Sequence, residues 1–587
     1  MLQAKALMEQ SRIAEAADLL RRFLAQHPGE IPAYGTLCHA LLLIGNPQQA
    51  LYYARQAKRI ARDVPEIWAC EARALQYSDK RDDALVLLQE AMERFPGNPA
   101  IGEQLTELYL HTSNYAGADD LCVKAKAEGW LSPTMAAGHS AALHKLGSLK
   151  AATDWARSTQ WNDPNNIAAA SILATTLLYD ADAKPEHVAA AHKRVGMLYH
   201  DTLGHLARTY PRGIDNPDRP LRIGVLSPDL RQHSVAAFAL ALYDGLRLES
   251  NSVTSYYTGF AGDALTQRFR ELSHTFRVCG ELSPQQLFDQ IVADRIDVLF
   301  ELSGHTTNNR LHMLALKPAP VIITAIGYPA TTGLQTINFR LVDPITDPPG
   351  AEALMTEKPL RIDAPFLCYT PPAEPPDINP TPPLMREGPN QGVVTFAAFN
   401  ALHKLNDQTL ELWSRVLANV PRSRLLVKAA ASRDHNTQQL VLKRFAHAGM
   451  GDDRVQWMTH VPGQRAHLDT YNQCDVSLDP WPYHGTTSTC ESMLMGVPVV
   501  SLVGDAHVSR VALTLATSVS NSDLCAQTPD EFVHLATQLA TDTTRLTHER
   551  RTLRTRLLAS TLCDRANYAS RMSHAVRDAW KWYCTAD

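Results

Sequence analysis

The sequence predicts an α-helical superhelix followed by two α/β lobes, and three features carry that expectation. Alanine recurs every 34 residues, at Ala16, Ala50, Ala84, Ala118 and Ala152. From Leu221 onward short β-rich runs alternate with helical patterns, which implies parallel sheets covered by helices. A proline-dense stretch, TPPAEPPDINPTPPLMREGP at 370–389, then divides that alternation in two, because proline interrupts both helix and strand ladders.

Around each repeated alanine the context is similar: RIAEAADLL, NPQQALYYA, KRDDALVLL, NYAGADDLC and SLKAATDWA. Pro65, Pro99 and Pro133 keep the same period, and Tyr34 and Trp68 share one register. A small residue where two helices cross, with proline near a helix start, is the tetratricopeptide signature, assigned here to 1–160. One helix pair cannot bury its apolar face alone, so the units stack into a superhelix whose concave surface is expected to hold a protein or peptide. The plainer alternative is that the repeats serve dimerisation or domain packing. After WNDPNN (161–166) the period ends, and helical patterns over 168–179 and 185–209 form a coupling region, 161–219. Asp180 and Asp182 have the DxD spacing of a metal-dependent sugar transferase. They end a helix-like run instead of a strand, so no metal is expected there.

The first lobe, 220–370, offers strands at 221–227, 253–257, 296–302 and 321–327. After the linker at 371–389, the second lobe, 390–565, offers 393–399, 423–428, 455–458, 475–478 and 498–503. Two doubly wound sheets should present their carboxyl ends to one cleft, where ligands of open α/β sheets bind. The terminal segment, 566–587, reads as an amphipathic helix that packs back across the lobes.

Composition narrows the class. A chain of 587 residues exceeds what one core serves. Its 45% apolar and 20% charged residues are ordinary for a globular protein. A net charge of −5 gives no electrostatic reason to expect a nucleic-acid partner. No apolar run reaches the roughly 18 to 20 residues of a membrane span, and MLQAKALMEQ lacks the apolar core of a signal peptide. The expectation is a cytoplasmic protein without a membrane partner. Ten cysteines lie between Cys38 and Cys584 without a CxxC pair or a Cys/His cluster, so they read as buried small residues and not as a disulfide framework or a zinc site.

The stretch DPWPYHGTTSTCESMLMGVPVV, 479–500, reads as a phosphate seat. A short strand precedes it, Pro480–Gly485 turns, and Thr486, Thr487 and Ser488 open a helix that Gly496 and Pro498 close. Free N–H groups in the first turn, the positive end of the helix dipole and hydroxyls beside them suit a diphosphate. Glu491, one turn further in, can accept from ribose hydroxyls. The alternative is a helix that is only well capped.

Repeats joined to two Rossmann-like lobes, with SPDLRQH, GYPATTG, FNALHK and GTTSTCESMLMGVPVV in that order, resemble the O-linked N-acetylglucosamine transferase family, in particular its compact bacterial members of Xanthomonas type. The resemblance implies an inverting, metal-independent glycosyltransferase of the GT-B fold. It implies UDP-N-acetylglucosamine as donor, protein Ser/Thr hydroxyls as acceptor and no cofactor. On the matching positions, Lys404 neutralises the departing diphosphate, and His403 sits beside it where animal members carry tyrosine. His233 is the candidate general base with Asp229 as its competitor; a positioning role, with the proton leaving through the phosphate, remains open. His467 stacks on the base, and Val461 and Pro462 read the base edge through their backbones. His305 and Tyr328 are candidate sugar or acceptor contacts.

The departures fall at nucleotide contacts: Ala401 stands for glutamine, Gln464 for lysine, Thr470 for arginine, and Thr486 for a histidine, with His484 two residues earlier. Each lost polar contact costs about 1 to 3 kcal/mol, or roughly one to two decades of affinity. Two rival readings therefore stand beside the first. One is the same fold using GDP-fucose, as plant relatives of similar layout do. The other is a nucleotide-binding repeat scaffold with little turnover.

Overall fold

Small residues at helix crossings build the first quarter of the chain. In the computed structural model, which describes every residue except 1, 10–11, 214–215, 260–261, 430–433, 452, 459–460 and 586–587, Ala16, Ala50, Ala84, Ala118 and Ala152 are fully buried. Each lies near the start of the second helix of a pair, such as Ile31–Leu43 with Pro47–Ile60 and Pro65–Tyr77 with Arg81–Arg94. Pro65, Pro99 and Pro133 are each the first helical residue, where a missing N–H removes no bond. Tyr34 and Trp68 play one role in successive repeats. The Tyr34 hydroxyl donates to Pro28 O at 3.3 Å and the Trp68 indole to Arg62 O at 2.8 Å.

The chain divides into two compact units, Met1–Leu146 with Arg433–Leu440, and Gly147–Ser432 with Val441–Asp587. The first unit thus ends short of residue 160. Helix Leu149–Asn162 packs on Ile167–Leu177, which packs in turn on Pro185–Leu203, so the second helix of the last regular repeat goes with the second unit.

Within the second unit two parallel sheets form. The first contains β1 (Arg222–Ser227), β2 (Ser252–Tyr257), β3 (Thr275–Val278), β4 (Val298–Glu301), β5 (Val321–Thr324), β6 (Phe339–Val342) and β7 (Lys358–Arg361), in the order β3-β2-β1-β4-β5-β6-β7. The second contains β8 (Val394–Ala398), β9 (Ser423–Lys428), β10 (Val455–Met458), β11 (Val476–Leu478), β12 (Val499–Leu502) and β13 (Cys525–Ala526), in the order β10-β9-β8-β11-β12-β13. Apolar β-branched runs predict the central strands. The pattern misses β3, β6, β7 and β13, which are two to four residues long and in part charged or at an edge.

Both sheets reverse winding direction at one place, between β1 and β4 in the first and between β8 and β11 in the second. Loops at such a switch point diverge and leave a crevice at the strand ends. SPDLRQH follows β1, SGHTTNN follows β4, FNALHK follows β8 and DPWPYHGTTS follows β11. The motifs singled out in the sequence therefore meet for a topological reason.

The proline-rich segment is no loose tether. Groups along it are bound to the second lobe: Arg554 donates to Pro376 O at 2.8 Å, the Arg386 guanidinium to Asn472 O at 2.8 Å, and Leu384 N–H to Asp475 Oδ1 at 3.2 Å. The terminal helix, Arg565–Cys584, packs on helix Ala236–Leu246 of the first lobe. Tyr568 and Arg577 lock it there through Phe366 O at 3.1 Å and Glu249 at 2.6 Å.

Candidate active site

The switch-point loops enclose a cleft of about 530 Å³. Lys404 closes the 3₁₀ turn Leu402–Lys404 just after β8. Its Nζ donates to His484 O at 2.7 Å and lies 4.4 Å from the Tyr483 ring centroid. Tyr179, from the coupling region, stacks on Tyr483 with centroids 4.4 Å apart, and His403 meets Tyr179 edge-on at 4.9 Å. This apolar surround desolvates the ammonium and pulls its pKa down to about 8, against the opposing pull of Asp479. Asp479 is itself buried and accepts from Gly485 N–H at 2.8 Å and Ser501 Oγ at 3.0 Å, which fixes the turn carrying His484.

Thr486, Thr487 and Ser488 line the same cleft. Helix Thr487–Leu494 begins without a side-chain capping bond from Thr486, so the first-turn donors are not spent as the capped alternative would spend them. Ser488 Oγ reaches Asn400 Oδ1 at 3.3 Å, tying the helix start to the loop that carries Lys404. His484 does not stand in for the histidine missing at Thr486. Its ring is buried, bonded to Leu502 O at 2.8 Å and Ala512 N–H at 3.2 Å.

The cleft continues into a second lobe-side space of about 440 Å³ that Val461, Gln464, His467 and Glu491 line. Ala401 borders both parts, presenting a methyl group where a polar reader is missing. Pro462 is exposed and is not among the lining residues. Thr470 is buried, its Oγ1 donating to His467 O at 2.6 Å, so it supports the His467 turn from behind and does not face a nucleotide. His467 Nε2 lies 3.1 Å from Glu491 Oε2, and its Nδ1 is bonded to Lys428 Nζ. Lys428 escaped the motif reading. The signal for it is a cation ending an apolar strand at the carboxyl edge of the sheet.

Across the cleft, His233 follows β1. Val235 N–H donates to its Nδ1 at 3.3 Å, and Asp229 Oδ1 lies 3.6 Å from the same nitrogen. Burial pushes the His233 pKa down, with Asp229 opposing, so the ring is neutral near pH 7. The carboxyl of Asp229 is pushed up by its own burial, against His233 and Arg231. With Nδ1 accepting, the proton of the neutral ring sits on Nε2. In this tautomer the ring offers a ligand a donor; with its proton on Nδ1, facing Asp229, Nε2 would be the base that the sequence reading expects. His305 and Tyr328 also differ from expectation. His305 Nε2 bonds Thr332 O at 2.9 Å, and Tyr328 OH bonds His192 Nε2 at 2.8 Å. Both are buried against the coupling helix and neither lines the cleft. Asp180 and Asp182 face other partners: Asp182 accepts from Gln408 at 2.8 Å, and Asp180 accepts from the Asp182 N–H at 3.0 Å.

Comparison with known proteins gives one consistent picture. The sequence profile of glycosyl transferase family 41 matches residues 174–367 and 384–572, and a tetratricopeptide profile matches 7–74. An Arabidopsis thaliana protein named probable UDP-N-acetylglucosamine–peptide N-acetylglucosaminyltransferase SPINDLY is 35% identical over 72% of this chain and 46% of its own length. The corresponding Caenorhabditis elegans transferase is 21% identical over 62% of this chain and 41% of its own. The chain thus spans less than half the length of these curated relatives. A solved structure of a Thermobaculum terrenum O-GlcNAc transferase, a point mutant, superposes with a TM-score of 0.76 at 26% identity, covering 94% of this chain and 98% of that one.

Proposed function

The chain belongs to glycosyl transferase family 41, and on that premise we propose that it transfers a sugar from a nucleoside diphosphate to serine or threonine hydroxyls of a protein, with UDP-N-acetylglucosamine as the donor. The observation that carries this reading is the convergence of the Lys404 ammonium and the uncapped start of helix Thr487–Leu494 on one cleft. A carboxylate, Glu491, and an imidazole, His467, sit on the same helix face and facing turn. The acceptor oxygen attacks the anomeric carbon on the face opposite the diphosphate, the carbon–oxygen bond to the diphosphate breaks, and the configuration inverts. Charge growing on the diphosphate is met by Lys404 and by the first-turn N–H groups, which are in place before the charge develops. These groups take the part a divalent cation plays elsewhere, so EDTA should leave donor binding unchanged. His233 donates from Nε2–H to the donor, and the acceptor proton leaves through a diphosphate oxygen. The acceptor polypeptide is held by the repeat superhelix, and the cytoplasm is the compartment of the reaction. No helix among the described residues is long and apolar enough to cross a membrane.

The His233 role has its own test. A donor, unlike a base, is partly replaced by an amide. His233→Gln should keep activity within about tenfold of wild type, whereas His233→Ala should lose about a hundredfold. Equal losses in both would restore the base assignment.

A second reading keeps this machinery and changes the donor to GDP-fucose. It is favoured by Ala401 and Gln464, which stand where a polar and a charged reader are expected, and by the stronger likeness to plant SPINDLY, 35% identical, than to plant SEC at 24% or the nematode transferase at 21%. Calorimetric titration of UDP, UDP-N-acetylglucosamine, GDP and GDP-fucose, with and without EDTA, separates the two. Selective, chelator-insensitive uridine binding supports the first, selective guanosine binding replaces it with the second, and silence towards all four overturns both.

A further inference from the structure

Lys428 ends β9, is 8% exposed, and lines only the part of the cleft that holds Val461 and Gln464, whereas Lys404 lines only the part at the helix start. Nothing in the proposed chemistry uses it, yet its Nζ is bonded to His467 Nδ1. An ammonium can only donate. Nδ1 must therefore be the bare nitrogen, the ring proton sits on Nε2, and Nε2–H donates to Glu491 Oε2 at 3.1 Å. Both edges of the imidazole are thus pinned, and a ring flip would break both bonds together. Tyr471 meets the ring edge-on at 6.0 Å and is anchored through its hydroxyl to Ser488 O at 3.2 Å, so the helix start and the His467 turn are tied as well.

We propose that Lys428 is a positioning residue for the nucleotide base, holding His467 in one tautomer and one orientation so that its face is a fixed stacking platform and Glu491 keeps Oε1 available to the nucleotide. This rests on the reading of the cleft as a nucleotide-sugar site. The physical logic is that of an outer partner that orders a ligand-binding imidazole through its far nitrogen. Burial also pulls the Lys428 pKa down, with Glu491 and Cys474 pulling it up. Lys428 acts through His467, and that makes the proposal separable from a direct phosphate contact.

The test uses the full chain with Lys428→Met, Lys428→Arg, His467→Ala and the Lys428→Met/His467→Ala double variant. UDP is titrated calorimetrically, and the imidazole ¹⁵N spectrum of the nucleotide-free protein is recorded, with His467→Ala identifying the His467 signals. Lys428→Met should weaken UDP about tenfold or more, Lys428→Arg should restore most of that loss, and the His467 signals should lose their single Nε2–H signature in Lys428→Met. In the His467→Ala background, Lys428→Met should cost nothing further. Additive losses in the double variant, or an unchanged His467 spectrum, overturn the proposal. If wild type binds no nucleotide, the functional reading fails, while the ¹⁵N spectrum still decides whether Lys428 sets the state of His467.

Discussion

Lys404→Ala is expected to lower kcat/KM by about a hundred- to a thousandfold, the usual cost of removing one preorganised group that meets charge developing on a leaving group. The side chain is poised for this by its surroundings. Tyr483 and Tyr179 desolvate it, His484 O holds its Nζ at 2.7 Å, and its pKa is drawn down to about 8. The sign of the pH dependence follows. Only the ammonium can meet the diphosphate, so kcat/KM, which reports the free enzyme, should fall as pH rises through about 8. A bound diphosphate favours the ammonium, so kcat should fall only at higher pH. Lys404→Arg, whose guanidinium does not lose its proton in this range, should remove the descending limb even where it lowers the rate. A descending limb that survives in Lys404→Arg would assign it to another group.

The second large effect is structural. Helix Pro185–Leu203 lies against the loop after β5 so closely that a Cβ on Gly196 would sit 1.7 Å from Gly333 O, and a Cβ on Gly333 would sit 2.0 Å from His192 O, at a φ of +77°. Backbone meets backbone, and no flexible side chain can give way. Gly196→Ala should therefore destabilise the second unit by about 3 kcal/mol, at the upper end of overpacking costs. Gly29→Ala, where a Cβ meets nothing within 4 Å, should stay within about 0.5 kcal/mol of wild type. Thermal unfolding of the two variants checks both. A Gly196→Ala protein that melts with wild type would mean the helix is free to lift off the lobe.

What was legible in the sequence was what depends on local pattern. The recurring alanines, the alternation after Leu221 and the residues of the GTTS turn each carry their meaning within a few neighbours. Residues whose role is set by a distant partner were not legible. His305 and Tyr328 sit in motifs that match the family, yet His192, 136 residues before Tyr328, takes up the tyrosine hydroxyl. Thr470, where the sequence expects a lost nucleotide contact, supports the His467 turn from behind, a role only the fold reveals. Lys428 and Tyr179 belong to no motif; convergence of β9 and the coupling helix on the cleft gives them their place. The capping question at Thr486 could be decided only by geometry, because threonine at a helix start serves a cap and a phosphate seat equally well.

The central claim is that Lys404 and the start of helix Thr487–Leu494 form a seat for a sugar-nucleotide diphosphate. A crystal structure of the chain with UDP tests it most directly. The account predicts β-phosphate oxygens within hydrogen-bond distance of Lys404 Nζ and of the Thr487 or Ser488 N–H, with the base over His467. A diphosphate bound elsewhere, with Lys404 Nζ still on His484 O and the helix start unoccupied, would contradict it.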